Sequence, residues 1–231
     1  MSNVARRNGR AVSVHGVNQR QVDNRLVAPP LPADLTATQR ARRERIIVCA
    51  SDNLRKARYE DIQMRDVADG AGVALGTLYR YFASKEHLFA AVLARWGHGL
   101  DSGVKRAPLQ GDDVAAQLID LYSRTISAFE RVPEFFRLRS IIEESDDPHA
   151  RALYSDYAAE IGGVLAGPLE ALSTDDRTAV NEVLLAGLHA ALRAWTNGAI
   201  TVDEAQRRMQ RTVSLIFSPP PIVQSSRTSR N

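Results

Sequence analysis

Apolar residues recur at spacings of three and four from Thr36 to Phe217, and no stretch of comparable length alternates apolar with polar residues as a half-buried strand does. Thr36 followed three residues on by Gln39 predicts a capping box, opening a helix whose inward face is Ile46, Ile47, Ala50 and Leu54. Asp61 is the expected N-cap of a short second helix with Met64, Val67 and Ala68 inward, stopped by Gly70-Ala71-Gly72, where glycine permits the backbone angles of a tight turn. A third short helix is expected from about Ala74 to Phe82, and Ser84 is placed to cap a longer one from Lys85 to about Lys105. Ala115, Leu118, Ile119, Tyr122, Ile126 and Phe129 then form one stripe, and Pro133 suits the first turn of a helix carrying Phe136, Ile141 and Ile142. A helix is predicted from about Pro148 to Leu172, bent near Gly162-Gly163 or Gly167-Pro168. The clearest pattern lies between Asp175 and Asn197, where Val180, Val183, Leu184, Gly187, Leu188, Ala191, Leu192 and Trp195 follow each other at alternating spacings of three and one. Thr201 to Phe217 adds Ala205, Met209, Val213 and Ile216. The predicted fold class is all-α.

The two ends lack this periodicity. Residues 1–35 carry Arg6, Arg7, Arg10, Arg20 and Arg25 against Asp23 and Asp34 and finish in Pro29-Pro30-Leu31-Pro32, so they read as a disordered basic tail. Residues 218–231, opening with Ser218-Pro219-Pro220-Pro221, read the same way. The composition between them is ordinary for a globular protein, at 44% hydrophobic and 25% charged. Apolar runs such as Leu88 to Ala94 fall far short of the roughly 18 to 20 residues of a membrane span. With no secretion signal and a single cysteine, Cys49, the chain reads as cytoplasmic. Charge changes the picture more: residues 1–95 hold 16 Lys and Arg against 9 Asp and Glu, and residues 96–231 hold 14 against 18. A basic module joined to an acidic one points to a polyanion partner for the first half only.

Within that basic half, the short helix ending at Ala68, the glycine turn and the helix from Ala74 form a helix-turn-helix, a geometry that can set its second helix in the major groove. Its content sharpens the reading, because Gly76-Thr77-Leu78-Tyr79-Arg80-Tyr81-Phe82 crowds a hydroxyl, two phenols and a guanidinium into about two turns, followed by Ser84-Lys85. From about Arg40 to Trp96 the chain resembles the TetR family of bacterial regulators, through Tyr59, Arg65-Asp66-Val67-Ala68, Ala71-Gly72-Val73, Gly76 to Phe82, Ser84-Lys85 and Leu88. The run Gln63-Met64-Arg65 with Val73-Ala74 and Gly76 to Phe82 is most similar to the actinobacterial branch that represses cholesterol catabolism. The resemblance implies a DNA-binding domain over residues 36–96 and a ligand-binding and dimerisation domain over residues 97–217. It implies DNA contacts by Gly76, Thr77, Tyr79, Tyr81 and Lys85, with Gln63 and Arg65 as candidates for base or phosphate contact. On this reading Lys85→Ala weakens binding to all sequences and leaves stability almost unchanged. Two departures from the family pattern stand out. Arg58 occupies a position where the family usually has glycine, and Ile62, Gln63 and Ala74 stand where serine or threonine usually opens the motif helices, so a cap-type phosphate contact at Ala74 is not carried over.

For the second half the resemblance implies a homodimer and an effector. Leu184, Leu188, Ala191, Met209, Val213 and Ile216 are the expected two-fold interface, and Phe129, Phe135, Phe136, Ile141, Tyr154, Tyr157 and Trp195 the expected apolar pocket. The implied partners are a near-palindromic double-stranded DNA operator and a small apolar effector, an acyl-CoA or sterol-derived acid; no cofactor, metal or membrane is expected. The competing readings are an activator of the same fold and a metal-binding helical enzyme using Glu143-Glu144-Ser145-Asp146-Asp147-Pro148-His149, a segment that reads more simply as a solvated loop and helix cap. No G-x-S-x-G, phosphate-binding glycine loop or zinc-type Cys/His spacing is present, so the chain is not expected to be an enzyme.

Overall fold

The computed structural model describes residues 29–105 and 107–217. Among these are nine α-helices and no strand: α1 (Ala37–Leu54), α2 (Met64–Gly70), α3 (Leu75–Tyr81), α4 (Lys85–Lys105), α5 (Val114–Glu130), α6 (Pro133–Glu143), α7 (Pro148–Leu165), α8 (Thr174–Thr196) and α9 (Val202–Phe217). Residues 1–28 and 218–231 of the two expected tails lie outside the described residues. The rest of the first tail is built into the fold. Pro32–Asp34 makes one 3-10 turn, Leu35 is buried, and its carbonyl accepts from Arg40 Nη1 at 2.5 Å.

The helix starts follow local chemistry. Thr36 and Gln39 form the reciprocal capping box, with Thr36 N–H donating to Gln39 Oε1 at 2.8 Å and Gln39 N–H to Thr36 Oγ1 at 3.3 Å. Ser84 accepts from His87 N–H at 2.9 Å, Asp113 from Ala116 N–H at 2.7 Å and Asp147 from Ala150 N–H at 2.8 Å. The expectation for Asp61 fails. It belongs to a separate 3-10 turn, Tyr59–Asp61, and the N-cap of α2 is Gln63, whose side chain makes no capping bond. The turn after α2 runs through Gly72 in the left-handed region, at a φ of 66°, where a Cβ is disfavoured. The long helix expected to bend ends at Leu165 and continues as a 3-10 turn, Gly167–Leu169, because Pro168 cannot continue the backbone ladder.

Helices α1 to α3 wrap a small core of Ile46, Ile47, Ala50, Leu54, Val67, Ala68, Leu78 and Phe82. Helix α4 leaves this unit and runs into the second one, packing most extensively on α7 and also on α1 and α6. Their approach is close at Gly97, where an added Cβ would meet the Tyr157 ring at 2.5 and 2.6 Å. Helix α9 closes the second unit against α5 and α8.

Candidate nucleic-acid interface and effector cavity

The helix-turn-helix presents α3 with Leu78 and Tyr81 buried and Gly76, Tyr79 and Arg80 exposed; Thr77 is half-buried. Tyr79 is 42% exposed although it is a large aromatic residue, and Gly76 has open space where a side chain would stand. Gln63 and Arg65, at the start of α2, are also exposed. Two residues differ from expectation. Tyr81 is only 2% exposed, its hydroxyl buried without a hydrogen-bond partner, so the phenol belongs to the core of the free protein and not to its groove-facing surface. The Lys85 ammonium is already engaged: Nζ donates to the Tyr59 carbonyl at 2.5 Å and lies 3.4 Å from the Glu60 carbonyl and 4.3 Å from the centroid of the Tyr59 ring. Partial burial pulls its pKa below the ordinary lysine value, opposed by the nearby charges of Glu86, Glu60 and Asp61. Arg80 belongs to the polar cluster read from the sequence but is not among the residues expected to contact DNA. Its guanidinium sits 5.8 Å from the Tyr81 ring centroid and supplies an exposed cation on α3.

The junction of the two units is built from histidines. His87, on the first turn of α4, accepts from Ala83 N–H through Nδ1 at 3.2 Å and stacks on His149 of α7, with ring centroids 5.1 Å apart. Burial, with help from His149 and Arg43 and against Asp147, holds the His87 pKa down at about 4. The acidic segment proposed for a metal is used otherwise: Glu143 pairs with Arg139, Asp147 caps α7 and His149 meets His87. No group of three or more His, Cys, Asp or Glu side chains able to hold a metal gathers among the described residues.

The second unit contains an apolar cavity of about 200 Å³, walled by Thr125 and Phe129 of α5, Arg139 and Glu143 of α6, Tyr154, Tyr157 and Ile161 of α7, and Leu185, Leu188 and His189 of α8. Of the expected pocket residues, Phe129, Tyr154 and Tyr157 line it. Phe135 and Phe136 instead fill the core, the first beside Trp96 at 5.4 Å and the second edge-on to Phe129 at 5.5 Å between centroids. Ile141 and Trp195, both half-buried, are outside its wall. An open groove of about 750 Å³ lies nearer α1, lined by Arg55, Arg95, Trp96, Arg124 and Arg131 among others. The expected dimer set also needs correction. Leu184, Leu188, Ala191, Met209 and Val213 are buried inside the chain, where α8 packs on α9, and of that set only Ile216 is exposed. The large exposed apolar residues of these two helices are Val183, 55% exposed, and Leu215, 70% exposed, together with Ile216.

Among the described residues, an exposed helix-turn-helix joined by one long helix to a second helical unit has the architecture of a DNA-binding regulator. Residues 56–92 match the model of the bacterial regulatory proteins of the tetR family. The HTH-type transcriptional repressor KstR of Rhodococcus jostii (strain RHA1) is 32% identical over 180 residues, which span 78% of this chain and 84% of that protein. The chain belongs to the tetR family. Its fold is shared with a TetR transcriptional regulator from Rhodococcus sp. RHA1 (TM-score 0.69, 22% identity, 80% of this chain and 100% of that one). It is shared also with the regulator FadR of Bacillus subtilis in complex with stearoyl-CoA (TM-score 0.59, 16% identity, 74% of this chain and 97% of that one).

Proposed function

We propose that the chain is a homodimeric repressor, cytoplasmic, whose DNA-binding domain spans residues 36–96 and whose domain of residues 97–217 binds a small, mainly apolar effector that weakens the grip on DNA. The observation that carries this reading is the exposure of Gln63, Arg65, Gly76, Tyr79 and Arg80 on a helix-turn-helix whose inward residues are fully spent on packing. Thr77 and Lys85 join them as phosphate donors, Lys85 by exchanging carbonyl for phosphate oxygen. Repression, and not activation, is supported by the KstR relative, which aligns over most of both chains. An acyl-CoA or a sterol-derived acid is the effector class, the first supported by the FadR neighbour with bound stearoyl-CoA and the second by the resemblance of the helix-turn-helix to the branch that represses cholesterol catabolism.

Two-fold assembly uses the exposed apolar face of α8 and α9 around Val183, Leu215 and Ile216, and the two α3 helices then face one side of the duplex about a helical turn or more apart. The test is fluorescence anisotropy with DNA from the regulated promoter and a scrambled duplex at about 150 mM salt, beside sedimentation of the protein. Preference for the native duplex by a dimer supports the reading, and equal binding to both duplexes rejects it. Val183→Glu combined with Leu215→Glu is expected to yield a folded monomer with operator affinity lowered by roughly 100-fold.

A further inference from the structure

Arg139 is a charged side chain placed where the sequence pattern has apolar neighbours. It is 6% exposed, on α6, and forms part of the wall of the 200 Å³ cavity. Its Nη2 donates to Glu143 Oε1 at 3.1 Å and meets His189 Nδ1 at 3.2 Å, and the guanidinium lies 5.8 Å from the Phe136 ring centroid and 6.0 Å from that of Tyr154. Its Nη1 is buried and hydrogen-bonded to nothing. A buried donor of a cation left without an acceptor is costly, by more than a neutral group in the same state. Packing on the same rings is available to an apolar residue of similar length, and the contacts with Glu143 and His189 use only Nη2.

The surroundings decide what the missing acceptor is. Glu143 is nearly half exposed, so water screens it, while Arg139 is enclosed. Burial holds the neighbouring His189 pKa down at about 4, and the Arg139 charge adds to that effect more than Glu143 opposes it. Arg139 is thus the enclosed charge of the cavity wall and Glu143 the more exposed one, and the rest of the wall is largely aromatic and aliphatic. A cavity of roughly 150 Å³ already admits benzene, so this one suits an apolar body of about eight carbons.

We infer that the cavity takes a compact free carboxylic acid, its apolar body among Phe129, Tyr157, Ile161 and Leu188 and its carboxylate on the guanidinium of Arg139, which turns to bring the enclosed Nη1 to it, making Arg139 the residue that selects acid over neutral analogue. This rests on the effector reading above and narrows it from acyl-CoA or sterol-derived acid to the free acid. An acid head group completes the arginine's hydrogen bonds and offsets its charge, whereas a neutral head group supplies only the first.

The test uses octanoate, octanamide and octanoyl-CoA as probes, titrated calorimetrically into the full chain with and without operator DNA. Octanoate should bind at least about tenfold more tightly than octanamide, and Arg139→Met should abolish that preference while octanamide binding persists. Arg139→Lys, which keeps the charge, should retain part of it. The comparison on the unaltered protein decides the matter even where Arg139→Met fails to fold: equal affinities, no octanoate binding, or tighter binding of the CoA ester than of the acid each overturn the inference. Survival of the preference in a folded Arg139→Met protein overturns it as well. The operator arm separates the two readings. Octanoate held by Arg139 with no effect on operator affinity leaves the site standing and removes the effector role; release of operator by an apolar molecule that ignores Arg139 does the reverse.

Discussion

At the scale of single residues, Lys85 serves the fold before it can serve DNA. Its ammonium braces the Tyr59–Asp61 turn through the Tyr59 carbonyl and lies against the Tyr59 ring, so removing it takes away that contact and leaves the carbonyl with the Ile62 N–H alone, at 3.3 Å. Lys85→Met is therefore expected to cost about 1 to 2 kcal/mol in urea unfolding, in contrast to the near-neutral effect that the sequence suggests, and also to flatten the salt dependence of DNA binding by about one phosphate. Unchanged unfolding would show that the lysine contact carries no weight in solution. Tyr81 teaches the complementary lesson. Leu78, Tyr81 and Phe82 stand at spacings of three and one, the signature of an inward face, and all three are buried. That signal was present in the sequence, and the polarity of the phenol concealed it. Arg139 was not legible at all, since a guanidinium on a stripe of apolar residues reads as an exposed position until the neighbouring helices are in place.

At the scale of elements, periodicity reveals which face of a helix is buried but is silent on what buries it. The three-and-one spacing of α8 correctly predicted a helix and most of its inward residues, Val183 being exposed instead, yet Leu184, Leu188 and Ala191 meet their own chain, with α9 close enough that a Cβ on Gly187 would touch Met209 Sδ at 3.6 Å. Sequence alone could not distinguish that from a partner. The caps at Thr36 and Ser84 were legible because a hydroxyl at the right offset has few other uses, whereas α2 starts at Gln63 without any side-chain cap. Two helical glycines separate packing from function. Gly97→Ala drives a Cβ into the Tyr157 ring and should lower stability by about 1 to 3 kcal/mol, the overpacking outweighing the gain in helix propensity. Gly76→Ala meets nothing in the free protein, so it should hold or raise the melting temperature while weakening operator binding, if a duplex lies against α3. Differential scanning calorimetry and anisotropy on the pair check both expectations; a Gly76→Ala protein that binds operator normally would remove α3 from the interface.

At the scale of the whole molecule, the seam between the helix-turn-helix unit and the second helical unit favours neutral histidine. The His87 pKa lies near 4 in the folded chain against an ordinary value of 6.5, so the unfolded chain takes up the proton first and stability declines as pH falls from about 6.5 toward 4. His189, at about 4 for the same dominant reason of burial, contributes in the same direction from the cavity wall. Above pH 7 both contributions are complete. Urea midpoints measured at pH 7.5, 6 and 5 should fall in that order, and His87→Asn, which retains an acceptor for the Ala83 amide without titrating, should reduce the slope; a slope unaffected by the substitution would place the sensitivity elsewhere. The wall between the two hollows of the molecule has a different use. Trp96 lines the arginine groove and touches Phe129, which lines the apolar cavity, with ring centroids 4.7 Å apart. The chain has two tryptophans, so Trp195→Phe leaves one indole at this partition, and its emission becomes a built-in optical reporter of what enters from either side.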